Sequence, residues 1–180
     1  MELNKKNKLV RAGYRTMENT KEQLLLRPFF DDDMPLLERW LRAEHVKPWY
    51  ENPEEWLEEI RERHDEFRFI THLIAEADGK AIGFCQYYDC YYSKEYEDWG
   101  MEIPLPGKVY SVDYLIGERE YLRRGYAKAM LTQMIQRLRV LDANAVIVLP
   151  DAKNIASNKT LEASGFVWDG DRYWFRLKGV

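Results

Sequence analysis

Cysteine and histidine are scarce in this chain, with two of the former and three of the latter among 180 residues. Cys85 and Cys90 match no metal-ligand spacing, and His45, His64 and His72 are scattered, so no metal site is expected. A Cys85–Cys90 disulfide is possible in principle. Without a secretory segment the two read as reduced thiols. The apolar runs are too short to span a bilayer, and Met1–Lys6 has no apolar signal-peptide core behind it. A cytoplasmic protein with no membrane partner is therefore expected. Basic excess is missing too: 27 basic residues stand against 31 acidic ones, a net charge of −4. That is not the footprint of a nucleic-acid binder, and it is compatible with a small cationic substrate. No internal repeat, linker or second domain is visible.

What is present is the composition of a globular domain, 46% apolar and 32% charged, long enough to bury a core. Residues 1–23 are polar and lysine-rich and read as a flexible extension, leaving one domain over 24–180. Leu24–Phe29 predicts a strand. Asp31–Asp33 and Pro35 open a helix that runs to Glu44, and Pro53 opens a second to Arg63. Phe67–Glu76 and Ala81–Tyr88 predict strands joined through Asp78-Gly79, a strong hairpin signal. Tyr91–Lys108 is a long irregular segment of the kind that is usually functional. A strand over Val109–Ile116, a helix after Gly125, a strand over Ala145–Leu149 and a helix over Asn154–Ser164 ending at Gly165 follow. Phe166–Trp168 and Arg172–Leu177 close as a hairpin. The order βααβββαβαββ implies an α+β fold with a mixed sheet.

The segment Tyr121-Leu122-Arg123-Arg124-Gly125-Tyr126-Ala127 joins strand to helix. A helix N-terminus offers unpaired N–H groups and a positive dipole end, and Gly125 permits close approach, so the segment can cradle a pyrophosphate. By itself it reads equally well as a solvated turn. In the preceding strand Asp113 shares a face with Val109, Ser111 and Leu115. A carboxylate there must be paired, hydrogen-bonded or turned to a cleft.

Element order, the Arg-Arg-Gly-x-Ala turn and the block from Asn154 to Gly165-Phe166 resemble the GCN5-related N-acetyltransferase superfamily. Within it the chain resembles the bacterial aminoglycoside 6′-N-acetyltransferases. Asp31–Leu36 with Trp40-Leu41, the pair Trp49-Tyr50, Ile82–Tyr88, Val112-Asp113 and Asn144–Ile147 carry the finer likeness. The resemblance implies a mostly antiparallel sheet of about six to seven strands with about four helices, splayed between strands four and five.

It further implies an acetyl-CoA-dependent enzyme, monomeric or homodimeric, that acetylates a primary amine of a small cationic substrate. Leu115, Ile116, Arg123, Arg124, Gly125, Tyr126, Ala127, Asn154, Ser157 and Lys159 would hold coenzyme A. Asp113 would orient the ammonium and take its proton. A strand-four N–H, that of Leu115, would face the oxyanion. Asn154 is suited to capping the last helix as well. Trp49, Tyr50, Gln86, Tyr88, Glu97, Asp98, Trp99 and Glu102 are the acceptor-site candidates, aromatics as walls and acids for ammonium groups; packing alone also accounts for Trp49 and Trp99. Leu122 stands where many members have Gln or Arg. Leu161 replaces a tyrosine proposed as general acid, and Leu149 replaces an acid of the aminoglycoside subgroup. These departures leave other acceptors open: a siderophore precursor, a polyamine or a protein amine. A non-catalytic acyl-CoA sensor is a further alternative.

Overall fold

The computed structural model describes residues 24–178; the expected flexible extension lies outside them. Among the described residues seven strands form one sheet: β1 Leu24–Pro28, β2 Ile70–Ala77, β3 Lys80–Asp89, β4 Val109–Ile116, β5 Ala145–Val148, β6 Val167–Trp168 and β7 Tyr173–Arg176. Their spatial order is β1-β2-β3-β4-β5-β7-β6. Only β4 and β5 run parallel; the other neighbours are antiparallel. The helices are α1 Met34–Leu41, α2 Pro53–Arg61, α3 Cys90–Ser93, α4 Tyr126–Val140 and α5 Ile155–Ala163.

Local chemistry explains the boundaries. Asp78 and Gly79 both have positive φ, 51° and 76°, which a two-residue hairpin turn of this hand requires. Strand β2 starts at Ile70, later than predicted. Phe67 turns back to donate its N–H to the Glu62 carbonyl, and its ring packs against Tyr96 at 5.2 Å. The end of α5 closes with the Phe166 N–H on the Leu161 carbonyl and the Gly165 N–H on the Glu162 carbonyl, with Gly165 at φ 91°. This double bond pattern satisfies carbonyls the helix leaves unpaired.

Side chains alternate along β4, and so do its cores. Leu115 packs with Leu37, Trp40, Leu57 and Ile60 under α1 and α2. Val112 and Ile116 pack with Met130, Met134 and Leu161 under α4 and α5. A Cβ on Gly83 of β3 would lie 2.3 Å from the Leu115 carbonyl oxygen and 2.8 Å from the Met130 methyl, so only glycine lets these elements close.

The segment expected to be irregular begins with α3 and is held at both ends by one residue. The Asp89 carboxylate accepts the N–H of Tyr91 at 2.9 Å and that of Gly107 at 2.6 Å. The loop between is thus a fixed wall, with the Trp99 indole N–H on Ser93 Oγ at 3.1 Å and the Arg172 guanidinium donating to the Trp99 carbonyl.

Candidate active site at the open edge of the fourth strand

The parallel pairing of β4 with β5 covers only Val109, Tyr110 and Ser111, while β4 continues to Ile116. The strands part there, giving the splay expected from the sequence. Which backbone groups face the gap follows from the ladder. The Lys108 carbonyl accepts N–H groups from Asn144 and Ala145 on the β5 side, and the Gly117 N–H donates to the Ile82 carbonyl on the β3 side. Backbone groups alternate sides along a strand, so those of Tyr114 and Ile116 face the gap. Those of Leu115 are taken by β3, opposite Phe84. The Leu115 N–H, expected from the sequence to face the oxyanion, is therefore turned to β3, and the N–H groups of Tyr114 and Ile116 face the gap instead. Two gap-facing carbonyls have side-chain partners: Tyr50 donates its hydroxyl to the Tyr114 carbonyl at 2.8 Å, and His45 Nε2 lies 3.0 Å from that of Ile116.

At one end of the gap stands the N-terminus of α4. Gly125 caps it in the left-handed conformation, φ 86°, with no side-chain hydrogen bond to the helix. The first intrahelical bond runs from Ala129 N–H to the Gly125 carbonyl. The N–H groups of the first turn thus open onto the cleft lined by Gly125, Tyr126, Ala127 and Lys128. Arg123 also has positive φ, 60°, an uncommon state for a residue with a Cβ that concentrates at ligand sites. Arg124 lies over the Tyr121 ring at 5.2 Å. Across the gap Asn154 Oδ1 caps α5 by accepting the Ser157 N–H at 3.0 Å.

Asp113 lies at the middle of the cleft, half-buried and enclosed by protein except toward the cavity. Gln86 Nε2 donates to its Oδ2 at 3.1 Å. Burial first, then the charges of Glu97 and Glu59, push its carboxyl from the usual carboxylate range up to about 7, against the lowering effect of Gln86 and Tyr88 hydrogen bonds. A group balanced near neutrality can both take and release a proton. Behind it a polar row crosses three strands: Gln86 pairs with Asp113 on β4 and with His72 on β2, and His72 Nε2 is 3.2 Å from Glu59 Oε1 of α2. Gln86 Oε1 is buried without a partner among the described residues.

The other end of the cleft is aromatic and acidic. Trp49, Tyr50, Trp56, Tyr88, Glu97 and Trp99 line it, with Tyr50 edge-on to Trp56 at 4.8 Å. Glu97 faces solvent across the cleft and accepts the Tyr88 hydroxyl at 3.1 Å; burial on its protein side raises its carboxyl above the usual range. The whole cleft is continuous and encloses about 1050 Å³.

Of the residues singled out in the sequence, Asp113, Leu115, Ile116, Arg123, Gly125, Tyr126, Ala127, Asn154, Ser157 and Lys159 line this one space, as do Trp49, Tyr50, Tyr88, Glu97 and Trp99. Gln86 does not reach it; its side chain is buried beneath Asp113. Asp98 and Glu102 line an adjoining surface depression of about 680 Å³ that shares Glu97 and Trp99 with the cleft, and Asp98 turns back to accept the Gly100 N–H at 2.8 Å. The sequence reading missed His45, Trp56 and Tyr114. Alternation along β4 already placed Tyr114 on the face opposite Asp113, the one signal that was available.

An open β4 edge, an uncapped helix N-terminus and a carboxyl raised toward neutrality share one cleft, the arrangement that transfer of a group from a phosphorylated donor calls for. Residues 30–172 match the model of the acetyltransferase (GNAT) domain, and the chain belongs to that family of N-acetyltransferases. Aminoglycoside N(6′)-acetyltransferase type 1 of Klebsiella pneumoniae is 24% identical over 170 residues, covering 91% of this chain and 83% of its own. The crystal structure of aminoglycoside acetyltransferase AAC(6′)-Ib in complex with coenzyme A superposes with a TM-score of 0.74 at 19% identity, over 86% of this chain and 95% of that one. A spermidine N-acetyltransferase chimera built in part from the Vibrio cholerae enzyme gives 0.67 at 15% identity, over 86% and 96%.

Proposed function

We propose that this chain transfers the acetyl group of acetyl-CoA to a primary amine of a small polycation, with aminoglycosides as the acceptor class. One observation carries the reading: a single cleft joins the bare α4 N-terminus, the free β4 edge and Asp113, and ends in an aromatic wall bearing Glu97. The donor set fits coenzyme A. The first-turn N–H groups of α4 with Arg123 and Arg124 suit its pyrophosphate, and the gap-facing groups of β4 suit an amide-bearing arm. Glu97 and Asp113 attract ammonium groups, and Trp49, Tyr50 and Trp99 offer flat walls to a sugar ring. Asp113 takes the proton from the bound ammonium, so that a neutral amine attacks the acetyl carbon. The N–H groups of Tyr114 and Ile116 receive the oxyanion. The relatives named as aminoglycoside acetyltransferases support the acceptor class. We place the enzyme in the cytoplasm, as a monomer or homodimer.

A polyamine acceptor is the second reading. Leu149, which stands where the aminoglycoside subgroup often has an acid, is 47% exposed in the cleft, and an apolar surface there suits an aliphatic chain. Coenzyme A release measured over aminoglycosides, spermidine, hydroxylamino acids and lysyl peptides separates these readings. Saturable release confined to aminoglycosides is expected. Release with spermidine alone would replace the first reading by the second, and saturable coenzyme A binding without release on any amine would favour an acyl-CoA sensor.

A further inference from the structure

Breaking a thioester leaves charge on sulfur, and a cleft that breaks one quickly needs a donor aimed there. Leu161, on α5, is fully buried in the core and has no proton to give. We propose that the Tyr114 hydroxyl, held by Ser157, donates a hydrogen bond to the departing sulfur; this rests on the acetyltransferase reading above.

Three observations lead to Tyr114. First, consecutive residues of β4 place Asp113 on the α1–α2 face and Tyr114 on the α5 face, and both line the cleft. The acetyl carbon, held at the strand edge between them, is approached by the amine from one face and left by sulfur on the other. Second, the Tyr114 hydroxyl lies 2.9 Å from Ser157 Oγ and 3.4 Å from the Ser157 carbonyl. With Ser157 Oγ as the donor of the shorter bond, the phenol proton has only the long contact to give up for sulfur, and Ser157 is fixed through the cap from its N–H to Asn154. Third, the hydroxyls of Tyr50 and Tyr88 are committed elsewhere. Tyr50 donates to the Tyr114 carbonyl and Tyr88 to Glu97, while the Tyr121 and Tyr126 rings meet edge-to-face at 5.5 Å beside Arg124.

The step balances without a further reactant. Asp113 holds the first proton, taken from the ammonium. The neutral amine nitrogen then bonds to the acetyl carbon, the C–S pair goes to sulfur, and the second nitrogen proton passes to solvent water as the amide forms. Tyr114 keeps its own proton, and the thiolate leaves as such to be protonated by water. Burial raises the Tyr114 phenol to about 12, so it remains a donor throughout the working range.

The test is the ultraviolet thiolate absorbance of coenzyme A bound to the enzyme, titrated with pH against the desulfo-coenzyme A complex. Bound to the wild type, the thiol should titrate lower by about one pH unit or more than when bound to Tyr114→Phe. Turnover of Tyr114→Phe should fall about tenfold or more with both KM values unchanged, and Ser157→Ala should show a smaller change in the same direction. The inference is overturned by equal thiol titration in wild type and Tyr114→Phe, or by unchanged turnover in Tyr114→Phe. Failure of the wild type to bind coenzyme A would instead remove the acetyltransferase reading itself.

Discussion

Replacing Asp113 with asparagine should make the protein more stable and nearly inactive, and the stability gain should depend on pH. The carboxyl is raised from an ordinary 3.8 to about 7. Between those values the folded protein holds a proton that the unfolded chain has released. Stability therefore falls as pH rises through that window, and the loss is complete above about 7. Each decade of proton affinity is worth about 1.4 kcal/mol, so the ionised group costs at most about 4 kcal/mol; its opening to the cleft reduces this to about 2–4 kcal/mol. Asparagine avoids the cost while keeping an oxygen for Gln86 Nε2. At pH 8 the variant should melt about 5–10 °C above the wild type. Near pH 4, where the wild-type carboxyl carries its own proton, the two should converge. Turnover should drop by a factor of about 100 or more. Scanning calorimetry at both pH values with parallel rate measurements checks this. A variant that melts lower at pH 8, or by the same margin at both, would refute the assigned cost.

Three other substitutions probe the cleft and the core beside it. Gly125→Ala forces a side chain into positive φ where its Cβ meets no protein atom within 4 Å; stability should fall by about 1 kcal/mol, and calorimetry should show coenzyme A binding weakened about tenfold. Glu97→Gln removes a charge that raises Asp113, so the acid limb of the kcat/KM profile should move to lower pH while KM for a polycation rises about tenfold. Gly117→Ala brings a Cβ to about 2.1 Å from the Trp40 ring; overpacking should cost about 3 kcal/mol in urea unfolding.

Much of this site was legible because its chemistry is local. Asp78-Gly79 dictates its hairpin, and Gly125 dictates a helix start approached closely by backbone. Alternation dictates that Asp113 and Tyr114 part to opposite faces. What escaped depends on distant pairing. Whether Leu115 or its neighbours face the gap depends on β3, to which Gly117 is joined, and on where β5 stops. The fixed wall of residues 91–107 depends on one carboxylate, Asp89, bonding both its ends. Asp98 and Glu97 are adjacent and equally acidic, yet the loop turns Asp98 onto the Gly100 N–H and Glu97 into the cleft. Gln86 looked like a cleft residue because it stands opposite Asp113, but the pair stacks in depth and Gln86 lies beneath.

The most direct measurement is the mass of an aminoglycoside incubated with acetyl-CoA and either the wild type or Asp113→Asn. One acetyl group should be added by the wild type and essentially none by the variant, although the variant is folded and still binds coenzyme A. An unmodified aminoglycoside with the wild type, or equal acetylation by both proteins, would contradict the assignment of Asp113 as the base at the open edge of β4.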